Sequence, residues 1–371
     1  MNNSRKIAFQ RIVDSHFGKP FYLPFLLIRR IDKRKFPEKI KNVAIFRLSS
    51  IGDSVLLLPA IKNLKEKTGA RITVICAKEN FPVFEGQRFI DKIIILDNKI
   101  LSPVEALRAI IKVRKEKPGL VIDTTHSSNL SSFFSYFVGA YTIGFSNPVT
   151  KIKNKMYDKS LELNIRKHMT LNYFDLFGLA GVGYNSEINL VNLFFSEGDY
   201  NKINAIVGNR KKLVVIHLTS WPEYKKWPME SIVKLTDYLC SKKYSIVLTG
   251  SENEQRISKD LLKSLKKSVK KNVFDLCGKT STKELFALMS KASLFVGNDG
   301  GPMHIASAMK VPIIGIFTKM PNDPAAGLFG AEDKFRYYPF SKRSGIIYRE
   351  NIKDLKFSEI KSVLNKTIKI K

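Results

Sequence analysis

Leu294-Phe295-Val296-Gly297-Asn298-Asp299-Gly300-Gly301-Pro302-Met303-His304-Ile305-Ala306-Ser307-Ala308-Met309 reads as a buried strand, a tight glycine turn and a helix that begins at Pro302. Paired glycines allow φ > 0 and a close approach of the backbone to a ligand. Proline suits the first position of a helix. The amides of a helix start lack intrahelical partners and attract anions. Asp299 and His304 place two titratable groups at the same mouth. A strand that hands over to a helix in this way is the repeating unit of a parallel α/β sheet.

The same unit recurs along the chain. Asn42 to Arg47 is an apolar run, followed by the polar turn Leu48-Ser49-Ser50-Ile51-Gly52-Asp53 and by apolar residues at helical spacing from Ser54 to Lys65. Arg71 to Cys76, Lys92 to Leu96 and Leu120 to Asp123 read as strands, and Val104 to Lys115 as a helix. Residues from about 145 to 210 are less regular. The alternation then restarts, with strands at Leu213 to His217, Tyr244 to Leu248, around Val273 and at Pro312 to Phe317. Helices fall at Met229 to Cys240, Glu254 to Lys267 and Lys283 to Met289. The pattern predicts two Rossmann-like α/β domains in tandem, with ligands at the C-terminal ends of the strands. A length of 371 residues agrees with more than one core. The expected division is a basic aromatic arm over 1–41, one domain over 42–200 and a second over 201–371, whose tail can pack back on the first.

The net charge of +30 points to an anionic partner: nucleic acid, a phosphorylated substrate or an anionic membrane face. No apolar run reaches the roughly 20 residues that span a bilayer. Residues 1–41 hold eleven Lys/Arg against three Asp/Glu, interleaved with Phe17, Phe21, Tyr22 and Phe25. Two readings of this arm stay open, peripheral attachment to an anionic leaflet and a helix packed on the domain surface. It has no small-residue cleavage site, so no signal peptide is expected. Cys76, Cys240 and Cys277 are odd in number and lack metal spacing, which predicts buried free thiols in a reducing compartment.

Four constellations carry chemistry. In the first, Gly52 permits a sharp turn, and Asp53 is either a general base facing a ligand or a helix cap. In the second, His217 to Pro228, the hydroxyls of Thr219 and Ser220 and the ammonium of Lys225 suit a diphosphate. Trp227 there is expected to pack beneath the helix that Pro228 starts. In the third, Thr249-Gly250-Ser251-Glu252, the carboxylate of Glu252 suits ribose hydroxyls, or else caps a helix. The fourth is the opening motif, with Gly278-Lys279-Thr280 expected on the same edge.

Taken together, Arg47 to Ala60, Lys225-Lys226-Trp227-Pro228, Thr249-Gly250-Ser251-Glu252 and Asn298 to His304 resemble glycosyltransferase family 9, the lipopolysaccharide heptosyltransferases, over about residues 42–320. The resemblance implies a GT-B fold, with two Rossmann-like domains facing across a cleft, acceptor on the N-terminal domain and donor on the C-terminal one. It implies an inverting transfer of a sugar, heptose from ADP-heptose in the best-known case, to a lipopolysaccharide core or related glycolipid, without metal or cofactor. It implies Asp53 as the base, with Ser49, Ser50 and Gly52 on the acceptor side. Thr219, Ser220 and Lys225 then hold the diphosphate, Glu252 the ribose, and Thr280 lies by the ribose or base. Asp299, Gly300, Gly301 and His304 contact the phosphates and donor sugar. Gly300 stands where many members have Thr or Ser, so a hydroxyl contact is lost while the amide remains. The expected partners are a nucleotide sugar, a phosphorylated glycolipid and an anionic membrane surface, on the cytoplasmic face of the cell membrane. Other readings are a GT-B sugar-nucleotide epimerase and a non-enzymatic nucleic-acid-binding protein. No RNP, zinc-finger or helix-turn-helix signature supports nucleic acid.

Overall fold

The computed structural model describes residues 34–96, 103–126, 129–146, 151–184, 188–218, 223–319, 322–323, 328–329, 333–341 and 343–368. Most of the basic arm, and Thr219 and Ser220, lie outside these residues. The chain divides into two compact units, residues 1–188 with 322–329, and 189–321 with 330–371.

The first unit is built on a six-stranded parallel sheet of order β3-β2-β1-β4-β5-β6. Its strands are β1 (Asn42–Arg47), β2 (Arg71–Ala77), β3 (Lys92–Leu96), β4 (Leu120–Asp123), β5 (Tyr141–Ser146) and β6 (Lys159–Glu162). Its longer helices are α1 (Ile51–Thr68), α2 (Pro103–Arg114), α3 (Asn129–Phe137) and α4 (Met169–Gly178). The central strands are buried along almost their whole length, as strands covered on both faces must be. The inner face of α2 packs Ile110 and Val113 on Ile94 and Leu96 of the edge strand β3.

The second unit repeats the plan after α5 (Glu197–Val207). Its sheet runs β14-β11-β10-β7-β8-β9, again parallel throughout. The strands are β7 (Leu213–His217), β8 (Ser245–Thr249), β9 (Val273–Asp275), β10 (Leu294–Asn298), β11 (Ile313–Thr318) and, after the short pair β12 (Asn322–Asp323) and β13 (Leu328–Phe329), β14 (Ser344–Arg349). The helices are α6 (Met229–Ser241), α7 (Gln255–Ser264), α8 (Thr282–Lys291), α9 (Gly301–Ala308) and α10 (Phe357–Thr367). Trp227 is buried in the core of this unit with Leu239 and Leu248.

Both sheets reverse direction of winding at one point, between β1 and β4 and between β7 and β10. Loops leaving the C-terminal ends of neighbouring strands diverge there, which opens a crevice for ligands.

Three regions differ from the sequence reading. The irregular stretch contains β6, α4 and α5, whose short or weakly patterned segments gave no clear period. The C-terminal tail completes the second unit: β14 pairs with β11, and Ile360 and Leu364 of α10 join the same core as Trp227. The units divide at residues 188 and 189, whereas the sequence reading set 200 and 201, a point inside α5. The cysteines are free thiols, buried at Cys76 and Cys277 and half-buried at Cys240. Burial raises all three, Cys76 to about 12, Cys240 to about 11 and Cys277 to about 12.

Candidate active site

At the winding reversal of the first unit, β1 ends on Arg47, a fully buried arginine. Its guanidinium donates to Asp53 Oδ2 at 2.7 Å, to the Thr124 carbonyl at 2.9 Å, to the Ser49 carbonyl at 2.9 Å and to Tyr173 Oη at 3.2 Å. Tyr173 in turn donates to Asp53 Oδ1 at 3.4 Å. Asp53 sits in the first turn of α1, where the helix dipole favours a carboxylate. The N-cap is Ser50, whose hydroxyl accepts from the Asp53 amide, and the Asp53 carboxylate is held in an ion pair with Arg47.

The turn also differs in which residue bears the strain. Gly52 lies inside α1, and Ser50 takes the left-handed conformation, with φ 68°. A non-glycine residue there is held by its surroundings. The Ser50 carbonyl accepts from Ser54 Oγ at 2.7 Å and from the Ser54 amide at 3.1 Å. Asn80, fully buried, then donates to Ser54 Oγ at 2.8 Å and to the Arg47 carbonyl at 2.9 Å. The ends of β1 and β2 and the start of α1 are thus one bonded frame around Asp53.

In the second unit the corresponding reversal gathers Lys225, Asp299 and His304. Lys225 closes a 3₁₀ turn after β7, and Asn298 at the end of β10 donates to its carbonyl at 2.9 Å. The Lys225 ammonium lies 3.3 Å from the Asp299 carbonyl and 3.5 Å from its carboxylate. His304 Nε2 approaches the other Asp299 carboxylate oxygen at 3.5 Å. Burial pushes the Asp299 carboxyl up, but the Lys225 charge and His304 outweigh it and hold the group below its ordinary value of 3.8. His304 is buried, and its Nδ1 has no hydrogen-bond partner among the described residues.

These groups meet at the start of α9, whose N-cap is Gly300 and whose second position is Pro302. The helix begins at Gly301, one residue before the proline. The paired glycines do not use left-handed backbone: Gly300 is extended at φ 169°, and Gly301 is helical. Among the described residues, a Cβ at Gly300 would meet nothing nearer than Pro302 Cδ at 4.0 Å.

Glu252 and Gly278, two residues before Thr280, come together on the neighbouring strand ends. The Gly278 amide donates to the Gly250 carbonyl at 2.8 Å, which draws the loop after β9 against the loop after β8. Gly278 has φ +67°, and a Cβ there would stand 2.8 Å from Glu252 Cα. Glu252 is exposed, and the cap of this turn is made by Ser251 and Glu254. Asp53, Ser49, Ser50 and Gly52 belong to the first unit, and Lys225, Glu252, Thr280, Asp299, Gly300, Gly301 and His304 to the second.

Sequence reasoning missed Arg47 as the partner of Asp53, and Tyr173, which lies 120 residues from it along the chain. It also missed Tyr337, whose ring lies 5.9 Å from that of His304 and carries the buried Arg336 guanidinium at 4.9 Å. No local motif marks Tyr173 or Tyr337. In the basic run Lys151 to Lys155, Lys153 is fully buried and donates to the Thr125 carbonyl. Among the described residues no group of three or more His, Cys, Asp or Glu is arranged to hold a metal ion, and no helix is long and apolar enough to cross a membrane.

A sequence profile of glycosyltransferase family 9 (heptosyltransferase) matches residues 107–367. The match takes in the C-terminal tail, which the sequence reading left outside, and excludes the Asp53 motif. Lipopolysaccharide heptosyltransferase 1 of Campylobacter coli is 24% identical over 299 residues, covering 76% of this chain and 85% of that protein. Among solved structures, a glycosyl transferase family 9 protein from Veillonella parvula superposes with a TM-score of 0.73 at 19% identity, covering 90% of this chain and 93% of the other. E. coli ADP-heptose lps heptosyltransferase II superposes with a TM-score of 0.71 at 18% identity, covering 88% and 98%. The fold is GT-B, two parallel Rossmann-type units in one chain, and the chain belongs to glycosyltransferase family 9 as a glycosyltransferase.

Proposed function

We propose that the chain transfers a heptosyl group from ADP-heptose to a hydroxyl of a lipopolysaccharide core or related glycolipid, with inversion and without a catalytic metal or cofactor. The observation that carries this reading is Lys225 held beside Asp299 at the start of α9. An ammonium and first-turn amides at one point suit a diphosphate. Charge grows on that diphosphate as it leaves, so a cation already in position stabilises the transition state more than the ground state. Thr219 and Ser220 add hydroxyls, Gly300 and Gly301 add amides, and Asp299 and His304 position the donor sugar. Glu252 takes the ribose hydroxyls, with Thr280 by the ribose or base.

In the first unit Asp53 accepts the proton of the acceptor hydroxyl, with Ser49, Ser50 and Gly52 on the acceptor side. The acceptor oxygen bonds to the anomeric carbon while the bond from that carbon to the phosphate oxygen breaks. The electron pair leaves with the nucleoside diphosphate. The names of the relatives support the heptose donor and the lipopolysaccharide acceptor. The excess of basic residues supports a phosphorylated glycolipid in an anionic leaflet, and with it a peripheral location on the cytoplasmic face of the membrane.

The test is product analysis with labelled ADP-heptose and a detergent-dispersed glycolipid lacking the terminal heptose. Label in the acceptor with inverted anomeric configuration, unchanged by a metal chelator, is the expected result. An isomerised donor with no acceptor consumed would overturn the reading.

A further inference from the structure

Helix α2 presents two stripes on the face turned away from its own sheet. Ala106, Ala109, Ile110 and Val113 already cover the core side. On the other side Val104, Leu107 and Ile111 are 57%, 58% and 44% exposed. Their spacing of three and four residues aligns them along one line of the helix. Beside that line run Arg108, Lys112 and Lys115, all exposed. Glu105 pairs with Arg108 at 2.6 Å, and Lys112 and Lys115 make no ion pair among the described residues. Core packing accounts for none of the outward apolar residues, and solubility does not call for them.

We propose that this face of α2 docks on the surface of an anionic lipid bilayer. The inference rests on the reading of a membrane-borne glycolipid acceptor and goes beyond it by naming the contact surface. Three aliphatic side chains next to a row of cations suit the boundary between acyl chains and phosphate headgroups. Long lysine stems let the charge reach the headgroups while the apolar line enters the bilayer. A second copy of the chain is a poor occupant. Its own +30 charge repels it, and three side chains fall far short of the roughly 800 Å² per partner of a stable interface. Nucleic acid is equally poor, because single strands call for aromatic platforms and this stripe is aliphatic. The placement agrees with the chemistry: α2 follows the C-terminal end of β3, at the same sheet edge as Arg47, the last residue of β1, and the start of α1, which carries Asp53.

The experiment is co-sedimentation of the full chain with phosphatidylcholine vesicles, with and without phosphatidylglycerol. Wild type and two double variants are compared, Leu107→Asp with Ile111→Asp, and Lys112→Glu with Lys115→Glu. All four positions are exposed, so both variants should keep the wild-type melting temperature and ADP affinity. Wild type should bind only the anionic vesicles, and each variant should bind on the order of tenfold more weakly. Binding by both variants equal to wild type would overturn the assignment of α2, as would failure of wild type to bind anionic vesicles. A wild-type dimer that Leu107→Asp with Ile111→Asp dissolves would overturn it in favour of self-association. Transfer to a detergent-dispersed acceptor needs no bilayer, so it tests the catalytic reading separately.

Discussion

A short ion pair to Arg47 and a longer hydrogen bond from Tyr173 tie Asp53 to its surroundings. The guanidinium fixes where the carboxylate points, and Arg47 is itself anchored to the carbonyls of Ser49 and Thr124. Positioning of this kind matters for proton transfer, which needs hydrogen-bond distance to the substrate hydroxyl. Asp53→Asn keeps the shape and removes the base. It should lower kcat by about 10²–10⁴-fold while ADP affinity in calorimetry stays at the wild-type value; near-normal turnover would remove Asp53 from the role. Lys225→Ala acts on the other substrate. Losing a charge-assisted contact worth about 1.5–3 kcal/mol should weaken ADP binding by roughly tenfold or more. Unchanged ADP affinity in the same titration would count against a phosphate contact. The residue types at both places were legible, because Asp after a glycine turn and Lys before Trp-Pro are local features. Their partners were not, since Tyr173 reaches Asp53 only through packing of α4 on α1.

At the scale of loops and helices, two glycines separate into different kinds. Gly278 combines φ +67° with a Cβ position 2.8 Å from the Glu252 backbone. Gly278→Ala should cost about 1–3 kcal/mol in urea unfolding. Gly300 is extended, and among the described residues nothing stands nearer its Cβ position than Pro302 Cδ at 4.0 Å, so Gly300→Ser should stay within about 0.5 kcal/mol of wild type. A large loss at Gly300 would mean that the start of α9 needs glycine after all. At the end of β7, His217 is half-buried and bonded to Thr249 Oγ1 at 3.2 Å. Burial lowers it from the ordinary 6.5, with the Glu254 charge pulling the other way. The unfolded chain therefore takes up a proton near 6.5 that the folded chain resists. Its contribution is intact above that pH and is lost as the pH falls. Unfolding free energy should drop between about pH 7 and pH 5, and the drop should be smaller in His217→Asn. An identical pH slope in the variant would exclude His217 as its source.

Over the whole molecule, the two units carry separate cores and separate halves of the proposed chemistry. ADP should therefore slow amide exchange around Lys225, Gly250 to Glu254 and Asp299 to His304, and leave residues 47–56 unprotected. Protection confined to the first unit would reverse the assignment of donor and acceptor. Periodicity and turn residues, read along the sequence, determined the α/β class and the two tandem sheets, and the resemblance of four loop motifs pointed to the family and most of the candidate residues. Hydrophobic period and turn residues act over a few positions, so a linear reading sees them. Only the tertiary structure decided that Asp53 pairs with Arg47 and leaves the cap to Ser50, that Glu254 and not Glu252 closes the turn after β8, that Ser50 and not Gly52 bears the left-handed backbone, and that the tail completes the second sheet. Each of these outcomes depends on which groups compete for one donor or one buried surface, and that competition exists only once distant segments are packed together.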